Sequence, residues 1–120
     1  MLSAKIKSRN LIIANREMTE SEFNRLADAT LARIEEAIEA SGAEIDFETA
    51  AGILDLTFAN GSKIIINRQP AAQEIWMAAK SGGYHFAWRD GVWRNTRDGG
   101  ELFADLSRCA SEQAGEPVTL

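Results

Sequence analysis

The chain predicts an α+β two-layer sandwich, with two terminal helices packed on one face of a five- to six-stranded antiparallel sheet. Three observations carry this expectation. Apolar residues recur at helical spacing early in the chain and again near its end. Between those segments the hydrophobic period changes to two. The connections among the two-period segments are too short for crossovers, which makes the sheet antiparallel.

The first helix has a defined start. Thr19-Glu20-Ser21-Glu22 forms a capping box, in which the Thr19 hydroxyl accepts from the Glu22 backbone and the Glu22 side chain reaches back. Phe23, Leu26, Ala27, Thr30, Leu31, Ile34, Ala37 and Ile38 then make one apolar stripe, and the helix runs to about Ala40 and stops at Gly42. Glu44, Asp46 and Glu48 next alternate with Ile45 and Phe47, which puts three carboxylates on one face of a short strand. Leu54, Leu56 and Phe58 alternate with Ile53, Asp55 and Thr57. Asn60-Gly61 is the pair that a two-residue type I′ hairpin demands, with Lys63 to Asn67 as the returning strand. In Gln73 to Ala79, Ile75 and Met77 share one face, and Glu74, Trp76 and Ala78 the other. Gly82-Gly83 and Asp90-Gly91 set off two further strands, Tyr84 to Arg89 and Val92 to Asn95. The last helix, about Gly100 to Ala114, gathers Leu102, Phe103, Leu106, Cys109 and Ala110 on one side, and Gly115 and Pro117 end it ahead of an extended tail. With both helices on one face of the sheet, the other face is open to water.

With 120 residues, 45% of them hydrophobic and 26% charged, the composition is that of one globular domain, residues 18–120. Cys109 is the only cysteine, which excludes an intramolecular disulfide and a CxxC metal site and fits a reducing compartment. The longest apolar runs, such as Leu11 to Ala14 and Ile64 to Ile66, fall far short of the roughly 20 residues a spanning helix needs. A soluble, cytoplasmic protein is expected, with no membrane partner. Met1 to Glu17 carries Lys5, Lys7, Arg9 and Arg16 against Glu17 alone, a net of +3. Its apolar stretch is shorter than the roughly 7 to 15 residues of a secretory core. It reads as an N-terminal extension, or as a segment upstream of a native start at Met18.

Charge is distributed unevenly. From Met18 to Asp55 ten carboxylates face two arginines, a net of −8, whereas Leu56 to Leu120 holds seven bases and seven acids. Asp28, Glu35 and Glu39 project from the polar face of the first helix with Glu36 beside them, and the acids of the following strand add a second row. Such a polarised surface bears self-repulsion that folding does not require, and it points to a metal ion or a basic protein as its ligand. One acidic helix face alone would be read as simply solvated; the second row is what favours a ligand. Oxygen-only donors on an open surface suit hard ions, bound weakly, exchangeably and with little selectivity.

Trp76 falls on the open sheet face with Glu74, which makes it either an interaction residue or a Trp partly covered by a neighbouring strand. Trp88 and Trp93 are assigned to the core. His85 has no His or Cys neighbour and reads as a surface residue, and Cys109 as a small buried hydrophobe. No phosphate-binding loop, Ser-His-Asp arrangement or basic nucleic-acid face is present, and no catalytic residue is assigned.

Asn60-Gly61-Ser62-Lys63-Ile64-Ile65-Ile66-Asn67-Arg68-Gln69, followed by Ile75-Trp76 and then Gly82-Gly83-Tyr84-His85-Phe86, resembles the central signature of the frataxin family, bacterial CyaY branch. Ser21-Glu22-Phe23 with Arg25-Leu26-Ala27-Asp28, and the Gln113-Ala114-Gly115-Glu116 end, are similar to that branch too. The match runs in order from about Met18 to Leu120.

The resemblance implies a frataxin-like fold and an iron-binding protein of iron-sulfur cluster assembly. By position, the family's acidic ridge falls on Glu35, Glu36, Glu39, Glu44, Asp46 and Glu48, which implies weak binding of ferrous or ferric iron, or of other hard cations. The same resemblance implies docking to a cysteine desulfurase through Glu36, Glu39 and Asp46, and contact of Trp76 with the scaffold protein or desulfurase complex. The chain departs from the family where Ala40-Ser41-Gly42-Ala43 stands in place of a more acidic loop, at Asn24, where histidine is common, and in the segment Gln69 to Glu74. Three functions are consistent with this reading: a desulfurase regulator or iron donor, a metal-independent acidic adaptor, and a ferroxidase or iron store. A monomer is expected, with metal-dependent oligomers.

Overall fold

In the computed structural model, which describes residues 18–120, the first helix, α1, spans Glu20–Ser41. The expected extension, residues 1–17, lies outside the described residues. Glu22 N donates to Thr19 Oγ1 at 3.1 Å and Thr19 N donates to Glu22 Oε1 at 2.8 Å, so the capping box satisfies two amides at the helix start. Gly42 closes the helix in the left-handed region at φ 73°, where a side chain would be penalised. Phe23, Ala27, Thr30, Leu31, Ile34 and Ile38 form its buried face.

Six strands follow: β1 (Ile45–Ala50), β2 (Ile53–Phe58), β3 (Lys63–Gln69), β4 (Glu74–Ala79), β5 (Gly82–Arg89) and β6 (Val92–Asn95). They pair antiparallel in sequence order, a meander whose short connections allow no other arrangement. The second helix, α2, spans Leu102–Ala114. It begins two residues later than predicted because Glu101 is its N-cap, its carboxylate accepting from Phe103 N and Ala104 N. Both helices pack on one face of the sheet. Leu54, Leu56, Ile64, Ile66, Ile75 and Phe86 meet Phe23, Ile34, Leu102 and Leu106 there with no exposed surface, each such side chain contributing on the order of 1.5–3 kcal/mol. Thr30, the polar member of the helical stripe, is satisfied inside this core: Trp93 Nε1 donates to Thr30 Oγ1 at 2.8 Å, and that hydroxyl donates to Leu26 O.

Two expectations are corrected. Asn60-Gly61 does not form the predicted type I′ turn; two-residue turns with both residues at positive φ lie instead at Ala51-Gly52, 54° and 78°, and at Asp90-Gly91, 54° and 81°. At Ala59-Asn60-Gly61 only glycine is left-handed, Gly61 N donates to Phe58 O, and Phe58 N donates to Ser62 O: a three-residue loop with a type I turn. Asn60 is held out of the left-handed region by its own side chain, which donates to Gln113 O at 2.8 Å and accepts from Ser62 N at 2.9 Å. Second, Trp93 is buried, but Trp88 is only partly so, packed edge-on against Trp93 near the end of β5.

Candidate functional site

Strand alternation at the sheet edge sets the first feature. Ile45 is buried toward the helices and Phe47 packs partly on the core, so Asp46 and Glu48 point to the opposite, open face. Glu36 and Glu39 lie on the solvent side of α1, and Glu44 immediately precedes β1; all five carboxylates are exposed. None is in an ion pair among the described residues. The acids therefore form a band that bends around the edge strand from helix to sheet.

The sixth predicted ligand is different. Thr49 Oγ1 donates to Glu35 Oε2, joining α1 to β1, and Glu35 is half-buried. Asp28, counted with the helix stripe, is likewise engaged: Arg68 Nη1 lies 2.9 Å from its carboxylate. Asp55, not singled out in the sequence, is brought directly opposite Glu48 by the β1–β2 register, and Lys63 Nζ sits 3.1 Å from it. Like charges placed opposite one another across a sheet repel, and Lys63 offsets part of that repulsion. Asp46, Glu48, Asp55 and Lys63 line a shallow groove with Phe47 and Thr57. Among the described residues no three His, Cys, Asp or Glu side chains come close enough together to form a ready-made metal cage. The band can hold a hydrated hard cation through one or two carboxylates at a time.

The second feature crosses the middle of the open face. Register places Ile53, Asn67, Trp76 and His85 side by side on four successive strands. Ile53 is 44% exposed, the single large hydrophobic so exposed among the described residues. Trp76 is half-buried and stacks on His85, ring centroids 4.3 Å apart and planes 7° from parallel. Its Nε1 donates to Glu74 Oε1 at 2.8 Å, and the same oxygen lies 3.6 Å from His85 Nδ1. Alternation already placed Glu74 beside Trp76; His85 joins them only through cross-strand pairing. Cys109 is fully buried, as predicted, with Ser81 Oγ 3.6 Å away.

The Frataxin-like domain model matches residues 16–116. Among curated relatives, the iron-sulfur cluster assembly protein CyaY of Paraburkholderia phymatum is 53% identical over 103 residues, 86% of this chain and 98% of the relative. The protein of the same name from Dechloromonas aromatica is 54% identical over 104 residues, 86% of this chain and 99% of the relative. Among solved structures, frataxin from Psychromonas ingrahamii superposes with a TM-score of 0.80 at 39% identity, covering 85% of this chain and 97% of that one. A trimeric frataxin from the yeast Saccharomyces cerevisiae, complexed with ferrous iron, superposes with a TM-score of 0.63 at 26% identity, covering 90% and 98%.

Proposed function

The chain belongs to the frataxin family, bacterial CyaY branch, and from that premise we propose that it acts in iron-sulfur cluster assembly as a regulator of the cysteine desulfurase or as an iron donor. The observation that carries this reading is the band of five exposed carboxylates, Glu36, Glu39, Glu44, Asp46 and Glu48, with no cation paired to any of them among the described residues. Iron is cargo here, held through water and a few oxygens and released readily; Glu35 is assigned to tethering α1 more than to coordination. The same charge steers the domain to a basic surface on the desulfurase, and Trp76, with Ile53 two strands away in the same row of the open face, supplies desolvated contact to the scaffold protein.

A second reading, the metal-independent adaptor, draws support from the lack of any three-ligand cluster among the described residues. Binding to the desulfurase, measured by interferometry across a salt series with and without ferrous iron, separates the two. The Debye length shortens from about 10 Å at 0.1 M to about 3 Å at 1 M, so docking by charge should weaken steeply across that range. Glu36→Gln with Glu39→Gln should flatten the salt dependence, whereas Trp76→Ala should weaken the ternary complex and leave the salt slope intact. Binding indifferent to salt and to both ridge substitutions would sink the docking model; identical binding with and without iron, together with no iron uptake by the free domain, would favour the adaptor.

A further inference from the structure

We propose that Glu74 and His85 are positioning residues that hold Trp76 for docking, and that protonation of His85 tightens Trp76-dependent binding of the scaffold protein. This rests on the docking role given to Trp76 above and adds its regulation. A Trp on an open sheet face has two rotatable side-chain torsions, and a partner must immobilise them unless the protein has already done so. Here it has. The indole N–H is held by Glu74 Oε1, and one ring face is covered by the His85 imidazole.

The two supports share an atom. Glu74 Oε1 accepts from the indole and faces His85 Nδ1, so the charge on the imidazole acts on the carboxylate that fixes the indole. His85 is half-exposed, and imidazole is the side-chain type whose charge changes between pH 5 and 8. When protonated it forms an ion pair with Glu74 and places a cation over the indole face, both favourable. When neutral it only stacks. The other charged groups nearby are Arg94, on the same sheet face of β6, and Arg97 and Asp98, which line the depression beside His85. The arginines keep their charge at all relevant pH, and Asp98 is spent partly on capping Gly100 N at 2.9 Å. An ion pair that only the charged imidazole can make is present at low pH and lost as pH rises through the imidazole titration, so docking should be tighter at pH 6 than at pH 8.

The test uses the full chain, in which His85 is the sole histidine, so its ring signals report one titration without overlap. In the free protein, the Trp76 indole N–H resonance, assigned by its loss in Trp76→Phe, should move along the same curve as the His85 ring. Glu74→Gln retains an acceptor and should keep the indole N–H protected from exchange while reducing its pH response to the part carried by the His85 stack; Glu74→Ala should lose the protection. Scaffold binding should strengthen about threefold from pH 8 to pH 6 beyond the change seen in His85→Gln, the size expected of an exposed cation–π contact. An indole resonance that ignores the His85 titration, or an equal pH ratio in wild type and His85→Gln, overturns the proposal. Scaffold binding absent at both pH values, or indifferent to Trp76→Ala, sinks the docking role itself, and the free-protein titration tells that failure apart. Should His85→Gln fold poorly, His85→Phe, which can stack on Trp76 without a charge, carries the same comparison.

Discussion

Arg68 Nη1 donates to both carboxylate oxygens of Asp28 at 2.9 Å, joining residues 40 positions apart and fastening α1 to β3. The arginine also runs beneath the β1–β2 turn: its backbone N–H donates to Gly52 O at 3.1 Å, and a Cβ on Gly52 would collide with its side chain. One residue thus sets helix, strand and turn against each other.

Gly52→Ala should therefore do more harm than the left-handed φ of 78° alone explains, because it also displaces Arg68. The Asp28–Arg68 pair itself is partly exposed, so its coupling in a double-mutant cycle with Asp28→Asn and Arg68→Gln should not exceed about 1 kcal/mol. Urea denaturation of the four proteins measures it; a coupling several times larger would mean the pair is effectively buried.

Ala51 occupies the first position of the type I′ turn at φ 54°, a region that favours Asn and Gly. Ala51→Asn should stabilise the domain by about 0.5–1 kcal/mol, read as a shifted urea midpoint at unchanged slope. Asn60→Ala should do the opposite, since Asn60 is spent on Gln113 O and Ser62 N.

Ridge carboxylates should divide by role. Glu36→Gln with Glu39→Gln removes an i,i+3 repulsion of about 0.2–0.5 kcal/mol and should leave the melting temperature unchanged or higher. Glu35→Ala, which frees Thr49, should lower it. If the double variant melts clearly lower, those two acids are structural.

On titration with ferrous iron or calcium, backbone NMR signals at Glu36, Glu39, Glu44, Asp46 and Glu48 should move first, in fast exchange, with Asp55 following through the shared groove. Changes centred on His85 or Cys109 would place the metal elsewhere.

The Glu22 carboxyl is held below its ordinary value, chiefly by the Thr19 backbone N–H and then by the Thr19 hydroxyl. A depressed carboxylate stabilises the fold above its unfolded titration and ceases to do so as pH falls through the lowered one. Glu22→Gln should thus narrow the stability gap between pH 7 and strongly acidic solution, whereas Thr19→Ala should cost about 1 kcal/mol at neutral pH.

The sequence by itself determined the elements and their faces. The capping box at Thr19, the αL stop at Gly42 and the Ile75/Met77 alternation depend on neighbours a few residues away, and local backbone chemistry decides them. The position of the carboxylate band was legible for the same reason, as periodicity alone puts Glu36 and Glu39 outside and Asp46 and Glu48 on the open face. Only the tertiary structure decided which acids are free. Asp28 and Glu35 belong to the same helical stripe as Glu39, yet Arg68 and Thr49 engage them from strands whose positions no local pattern reveals. The turn at Ala51-Gly52 was hidden because Ala is a poor αL residue, adopted where pairing of Ala50 with Ile53 leaves two residues to reverse the chain. His85 met Trp76 through register, and register is the sum of pairings along two whole strands; a slip of one residue would send every side chain to the other face.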